Sequence, residues 1–162
     1  MFNNIIKPVL IFIPLAIIQL TIIPMISIGG IAPNLIFVLI AFYTLKNGQA
    51  YGTILGFFLG FFLDLFSGGL IGAFMFSFTI SGFWVGYFYN ENKIEFNTES
   101  FFFLFIIFLC GSLNAFIYAT ISNTNLSVNL FFVILEEGLL PGLYTALFGL
   151  PMVIFTSKKG IL

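Results

Sequence analysis

Few side chains in this sequence can do chemistry, and their spacing narrows what that chemistry is. Histidine and arginine are absent, and the chain carries five lysines, six acids and one cysteine. Imidazole acid–base chemistry, guanidinium clamps and metal sites are thereby removed. Cys110 lies in an apolar stretch; alone it forms no disulfide within the chain and reads as a small hydrophobe. Glu136 and Glu137 are adjacent, so on a helix they point about 100° apart and do not make a paired acid and base. Asp64, Ser67, Cys110, Glu136 and Glu137 assemble no catalytic spacing. The expectation is no catalytic, cofactor-binding or metal-ligating set, and therefore no enzyme.

Asp64 is the exception in placement. Gly48, Gly52, Gly56 and Gly60 fall four residues apart in an apolar run, and Asp64 is the next step. Glycine inside a helix costs about 1 kcal/mol against alanine. Its repetition predicts close backbone approach, as small-residue stripes allow in membrane helices. A four-residue step overshoots one turn by about 40°, so the stripe winds. Gly48 and Gly52 are expected to meet one neighbour, and Gly56, Gly60 and Asp64 another. Three readings of Asp64 stand: an anchor for a neighbouring helix or partner, a helix-ending carboxylate in interfacial water, or a proton relay without an aligned second acid. Glu136-Glu137 reads either as a solvated helix start or as a contact to a partner outside the membrane.

The surrounding elements must be membrane helices. Of 162 residues, 60% are hydrophobic and 7% charged, against about 25% charged in soluble domains. The apolar runs are continuous rather than alternating, which excludes a β-barrel. Net charge is −1, so no nucleic acid is expected as a partner. The fold class is an all-α polytopic membrane protein, one integral membrane domain over 1–162. Its six transmembrane helices are placed at 8–28, 31–45, 49–66, 70–89, 101–121 and 130–156. The first is a retained span, kinked or ended at Pro14 and Pro24, and Pro33 is expected in the first turn of the second. The second and third are both expected to be short for a bilayer core of roughly 30 Å, the fifteen residues of the second reaching about 23 Å. Asn90 to Ser100 reads as the longest charged loop. With six crossings Lys7, Lys46, Lys93, Lys158 and Lys159 share one side, which the positive-inside rule makes cytoplasmic, with both termini. Further small-residue series (Gly82/Gly86, Gly111/Ala115/Ala119, Gly138/Gly142/Ala146) read as packing seams, and Asn114 as an interhelical hydrogen-bonding residue.

Three stretches together resemble a known family. They are Ala32-Pro33-Asn34-Leu35, then Gly56-Phe57-Phe58-Leu59-Gly60-Phe61-Phe62-Leu63-Asp64-Leu65 with Leu70-Ile71-Gly72 after it, and Leu140-Pro141-Gly142-Leu143-Tyr144-Thr145-Ala146. They resemble the MreD family of rod shape-determining membrane proteins. Phe61 stands where that pattern has leucine. The resemblance implies a scaffold of lateral peptidoglycan synthesis in the bacterial inner membrane. It implies MreC as the direct partner, with MreB and the RodA–penicillin-binding-protein pair in the same complex. It also implies a six-helix fold similar to the substrate-binding S-component of vitamin transporters.

Two functions compete. The first is a non-enzymatic membrane scaffold whose glycine seams receive another transmembrane helix, a homodimer among the options. Its packing or partner residues are expected at Gly48, Gly52, Gly56, Gly60, Asp64, Gly72, Pro141 and Gly142, with Gly56, Gly60, Asp64, Pro141 and Gly142 as docking surfaces. The second is the S-component of an energy-coupled vitamin transporter. Against it, the first span offers only Ala16 between Phe12 and Leu20 where a small-residue docking stripe is needed.

Overall fold

The computed structural model describes residues 2–122 and 134–157. Among them seven helices follow in order: α1 (Phe2–Thr21), α2 (Leu35–Asn47), α3 (Gln49–Ser67), α4 (Ala73–Val85), α5 (Ile94–Glu99), α6 (Phe101–Ser122) and α7 (Leu140–Ser157). A π-helical stretch, Ile134–Leu139, leads into α7. Among the described residues there is no strand, only one bridge between Ile28 and Ile31. Three of the described stretches are long and apolar enough to cross a bilayer: Gln49–Ser67, Phe101–Ser122 and Ile134–Ile154. Ile6–Thr21, Leu35–Asn47 and Ala73–Phe88 are apolar but shorter.

Helix α2 is the axis of the molecule. Ile36, Phe37, Ile40, Ala41 and Leu45 expose no surface, and α2 touches α1, α3, α4, α5, α6 and α7. Thirteen residues reach about 20 Å, which would leave a lipid-exposed helix short of both interfaces. Enclosure by protein removes that constraint. At its start the N–H groups of Asn34, Leu35 and Phe37 are taken by side chains, and at its end Gly48 N–H donates to Thr44 C=O, pairing that membrane depth demands.

The helices around it are turned inside out relative to a soluble bundle. On α3, Gly52, Gly56, Gly60 and Asp64 face inward. Ile54, Phe57, Phe58, Phe61, Phe62 and Leu65 are exposed on the opposite face. Small residues inside and bulky apolar ones outside is the pattern lipid selects, because close packing rather than water exclusion holds the helices together. On α1, Pro8, Phe12 and Ala16 are buried while Leu10, Ile13 and Ile17 are exposed. The Phe12/Ala16 stripe is thus core and presents no external docking face.

Several boundaries depart from the sequence reading. Helix α1 runs through Pro8 and Pro14 and ends at Thr21, shortly before Pro24, which lies in a 3-10 turn. Pro33 lies outside α2, because the helix is capped by Asn34, whose Oδ1 accepts from Phe37 N–H at 3.0 Å. Helix α4 begins at Ala73 and not at Leu70. The stretch read as a charged loop contains a 3-10 turn (Glu91–Lys93) and α5. There Asn97 is buried and donates to Phe88 C=O at 2.7 Å, pinning α5 beneath the end of α4. Ser122 to Asn129, the start of the sixth span and Lys158-Lys159 fall wholly or largely outside the described residues.

Candidate functional site

The chain's chemistry gathers at one end of the bundle, around the starts of α4 and α2. Helices α3 and α4 form the most extensively packed pair, an antiparallel hairpin. A Cβ on Gly60 would stand 2.6 Å from Met75 Cα and Phe74 C=O, and one on Gly82 would stand 2.6 Å from Gly52 C=O. A Cβ on Gly56 would run into the Phe78 carbonyl. These are backbone contacts, which no side-chain rearrangement relieves. Gly52 is set apart by the winding of the stripe: its inward side meets the Thr44 side chain on α2.

Asp64 completes the hairpin. It is 2% exposed, and both carboxylate oxygens accept backbone N–H groups. Oδ2 accepts from Gly72 and Met75, both at 2.9 Å, and Oδ1 accepts from Phe74 at 3.0 Å. Ala73 N–H donates to Leu70 C=O and Phe76 N–H to Gly72 C=O. Every N–H from Gly72 to Phe76 therefore has an acceptor, although a helix's first turn cannot supply them all itself. A cap usually comes from the residue before the helix; here Gly72 has no side chain to offer, and the cap arrives from the neighbouring helix. The carboxylate also meets the positive end of the α4 dipole. The turn between the helices requires left-handed backbone at Gly68 (φ 66°) and Gly72 (φ 102°).

The start of α2 is held differently. Gln19 on α1 donates from Nε2 to Pro33 C=O at 3.0 Å and accepts Leu35 N–H on Oε1 at 2.9 Å. Thr145 on α7 accepts Asn34 N–H at 3.0 Å and donates to Pro141 C=O at 2.7 Å. Asn34 uses Oδ1 as the cap, so its Nδ2 is turned toward Asn114 Oδ1, 3.5 Å away. That fixes which way the Asn114 amide points. Asn114 is 2% exposed, and its Nδ2 has no partner among the described residues.

Beside these amides lies a cavity of about 550 Å³, bounded by the 29–34 turn, α6, the start of α7 and Phe74 of α4. Ile28 and Ile31 exchange two 3.0 Å hydrogen bonds across Gly29 (φ 60°) and Gly30 (φ 87°), forming a tight turn at its edge. Tyr118 stacks on Phe74 at 4.2 Å between ring centroids. Glu136, exposed, and Glu137, half-buried, also border it. Among the described residues no lysine does. Lys46 and Lys93 belong to the other end of the bundle, where α2 stops and α5 begins.

The sequence-nominated residues therefore divide. Gly52, Gly56, Gly60 and Asp64 form one seam, covered by α2 and α4 of the same chain. Gly142 lies in a second, α6–α7 seam: a Cβ there would come within 2.6 Å of Ser112 N. Pro141 borders the cavity. Gly48 is the joint between α2 and α3, at φ 96° with the Tyr89 ring nearest to it, and Gly72 is a turn residue with open space beside it. Gln19 has no part in the sequence reading, and Asn34 and Thr145 enter it only as members of the family-like stretches; a lone polar residue amid apolar ones was the available signal.

A family model described as rod shape-determining protein MreD matches residues 3–159. No curated protein and no solved structure gave a match.

Proposed function

We propose, for a chain that belongs to the MreD family of rod shape-determining proteins, a non-enzymatic scaffold role in the complex that elongates the lateral wall. Family membership places the protein in rod-shape determination, and its apolar helices make it a multi-pass membrane protein. The finer reading is that it holds MreC, and through MreC brings MreB and the RodA–penicillin-binding-protein synthase together. It crosses the bacterial inner membrane six times, with an S-component-like arrangement and both termini in the cytoplasm. The described lysines support that orientation: Lys46 and Lys93 share one end of the bundle, the end toward which α1 directs Lys7.

One observation carries the scaffold reading. Within a family match covering nearly the whole chain, the glycine seams are consumed inside the chain itself, and a continuous set of aromatic side chains is left outside. Gly56, Gly60 and Asp64 are occupied by α4, and Gly142 by α6, so their part is to build a rigid body. Docking of MreC, or of a second copy in a homodimer, falls to outward faces such as the phenylalanine face of α3.

The test is complementation. Expressed in a rod-shaped bacterium depleted of its own MreD, the chain is expected to restore rods and to co-purify MreC. Rounded cells, with the protein folded in the membrane and no MreC recovered, would refute the reading. Phe58→Ala and Phe62→Ala are expected to lower MreC recovery without changing thermal stability if the α3 face is the contact.

A further inference from the structure

We propose that the cavity beside α2 binds a small amphiphilic amine: a primary ammonium, an oxygen acceptor a few bonds away, and an apolar body. The inference does not rest on the scaffold reading, and its test makes no use of MreC.

The cavity wall holds an unmatched donor. Asn114 Nδ2 has no partner among the described residues, and the Asn34 cap prevents the amide from flipping to hide it. Ser122 Oγ, also at the cavity wall, is likewise buried and unpaired among the described residues. Buried polar groups are normally satisfied, so an orphaned one points to a missing partner. A ligand oxygen against Asn114 supplies the missing acceptor. The space is larger than a bridging water needs: a water takes about 30 Å³ of liquid, and ligand pockets run about 300–1,000 Å³.

Charge selects the sign of the ligand. Glu136 and Glu137 border the cavity, and among the described residues no lysine does. A phosphate or carboxylate placed there would meet like charge with no counter-ion. An ammonium would meet its opposite in a site partly shielded from water. The π-helical turn gives the carboxylates their place, since both lie within Ile134–Leu139 ahead of α7. Such turns are frequent at functional sites. One part of the remaining wall is apolar and aromatic, with Phe37, the Phe74–Tyr118 stack and Pro141 suited to the body of an amphiphile, while Gln19, Asn34 and Thr145 line another.

The same ammonium-and-oxygen chemistry is offered by a free amino alcohol and by the headgroup of an amine phospholipid. Phenylalaninol and dihexanoyl phosphatidylethanolamine are therefore titrated separately into the full chain, purified in detergent and freed of amine lipid. Thermal unfolding and equilibrium dialysis are the readouts. Saturable binding of phenylalaninol is expected, at least tenfold tighter than that of N-acetylphenylalaninol or phenyllactate. Binding of the alcohol alone assigns a soluble ligand, binding of the lipid alone assigns a headgroup, and both together support the shared chemistry. Asn114→Leu and Glu136→Gln are each expected to weaken binding about tenfold. Glu136 is exposed, so its variant decides the matter if Asn114→Leu fails to fold. No saturable binding by either probe, equal binding of the neutral or anionic control, or unchanged affinity in Glu136→Gln would overturn the proposal and leave water as the occupant.

Discussion

Helices α4 and α2 begin at the same end of the bundle, and their first turns are secured by opposite means. The α4 start is closed by one carboxylate and a glycine seam. Asp64 takes three N–H groups at once, and Gly60 lets the backbone of α3 come against Met75 and Phe74. Between the two backbones no room remains for a side chain at Gly60. The α2 start is secured by neutral groups, Gln19 from α1, Asn34 and Thr145 from α7, with a cavity beside them and one amide donor unspent among the described residues. The difference teaches where rigidity and recognition lie. A charged cap in an apolar setting demands complete pairing, since charge-assisted hydrogen bonds are strong when made and costly when broken. A network of neutral amides tolerates an unfilled position at smaller cost.

Breaking the closed side is expected to have the largest effect. Gly60→Leu drives a side chain into the α4 backbone and should destabilise the protein by more than about 3 kcal/mol, read as lost protease resistance and a lowered unfolding temperature in detergent. If Gly60→Leu unfolds at the wild-type temperature, the α3–α4 seam is not as close as described. Asp64→Ala comes next, at about 3 kcal/mol, because three N–H groups lose their acceptor where water is scarce. Asp64→Asn keeps one oxygen and should recover part of that loss. Asp64→Asn as unstable as Asp64→Ala would mean that a single remaining oxygen cannot hold the α4 start.

On the neutral side the effects should shrink. Gln19→Leu removes two hydrogen bonds at the α2 start and is expected to cost about 1–2 kcal/mol, measured by the same unfolding experiment. Asn114→Leu is the sharpest comparison. It replaces a largely unpaired amide with an apolar side chain of similar size, so stability should change by less than about 0.5 kcal/mol in either direction. A large loss there would show that Asn114 is structural, and the contrast between the two helix starts would collapse.

The glycine stripe and its terminal acid were visible because a four-residue period of missing side chains inside an apolar run has one main physical cause, the close approach of another backbone. What could not be read was which polypeptide covers it. The sequence nominates an external partner for Gly56, Gly60 and Asp64; the chain itself supplies α4. The turn at Gly68 to Gly72 is short enough to fold α4 straight back, and an intrachain neighbour is already at hand when a separate protein must first be bound. The α2 start was less legible for a different reason. Gln19, Asn34 and Thr145 are scattered along the chain, and nothing in their spacing marks them as partners. Asn114 was recognisable as a polar residue amid apolar ones, yet its unpaired amide depends on how Asn34 orients. The short helix α5 was missed because its few charged residues imitate a loop, while its buried face is polar, Asn97 and Thr98.

Composition decided that this chain is a membrane protein, since 60% hydrophobic residues exceed what a soluble domain carries, and the continuous apolar runs decided that it is helical. The period of its glycines decided that two backbones must touch. Tertiary structure decided which two, gave Asp64 to the start of α4, and opened a cavity bordered by Glu136 and Glu137. Periodicity along a helix is a local property and is written in order, whereas a cap from another helix or a space between three of them exists only when distant segments have met.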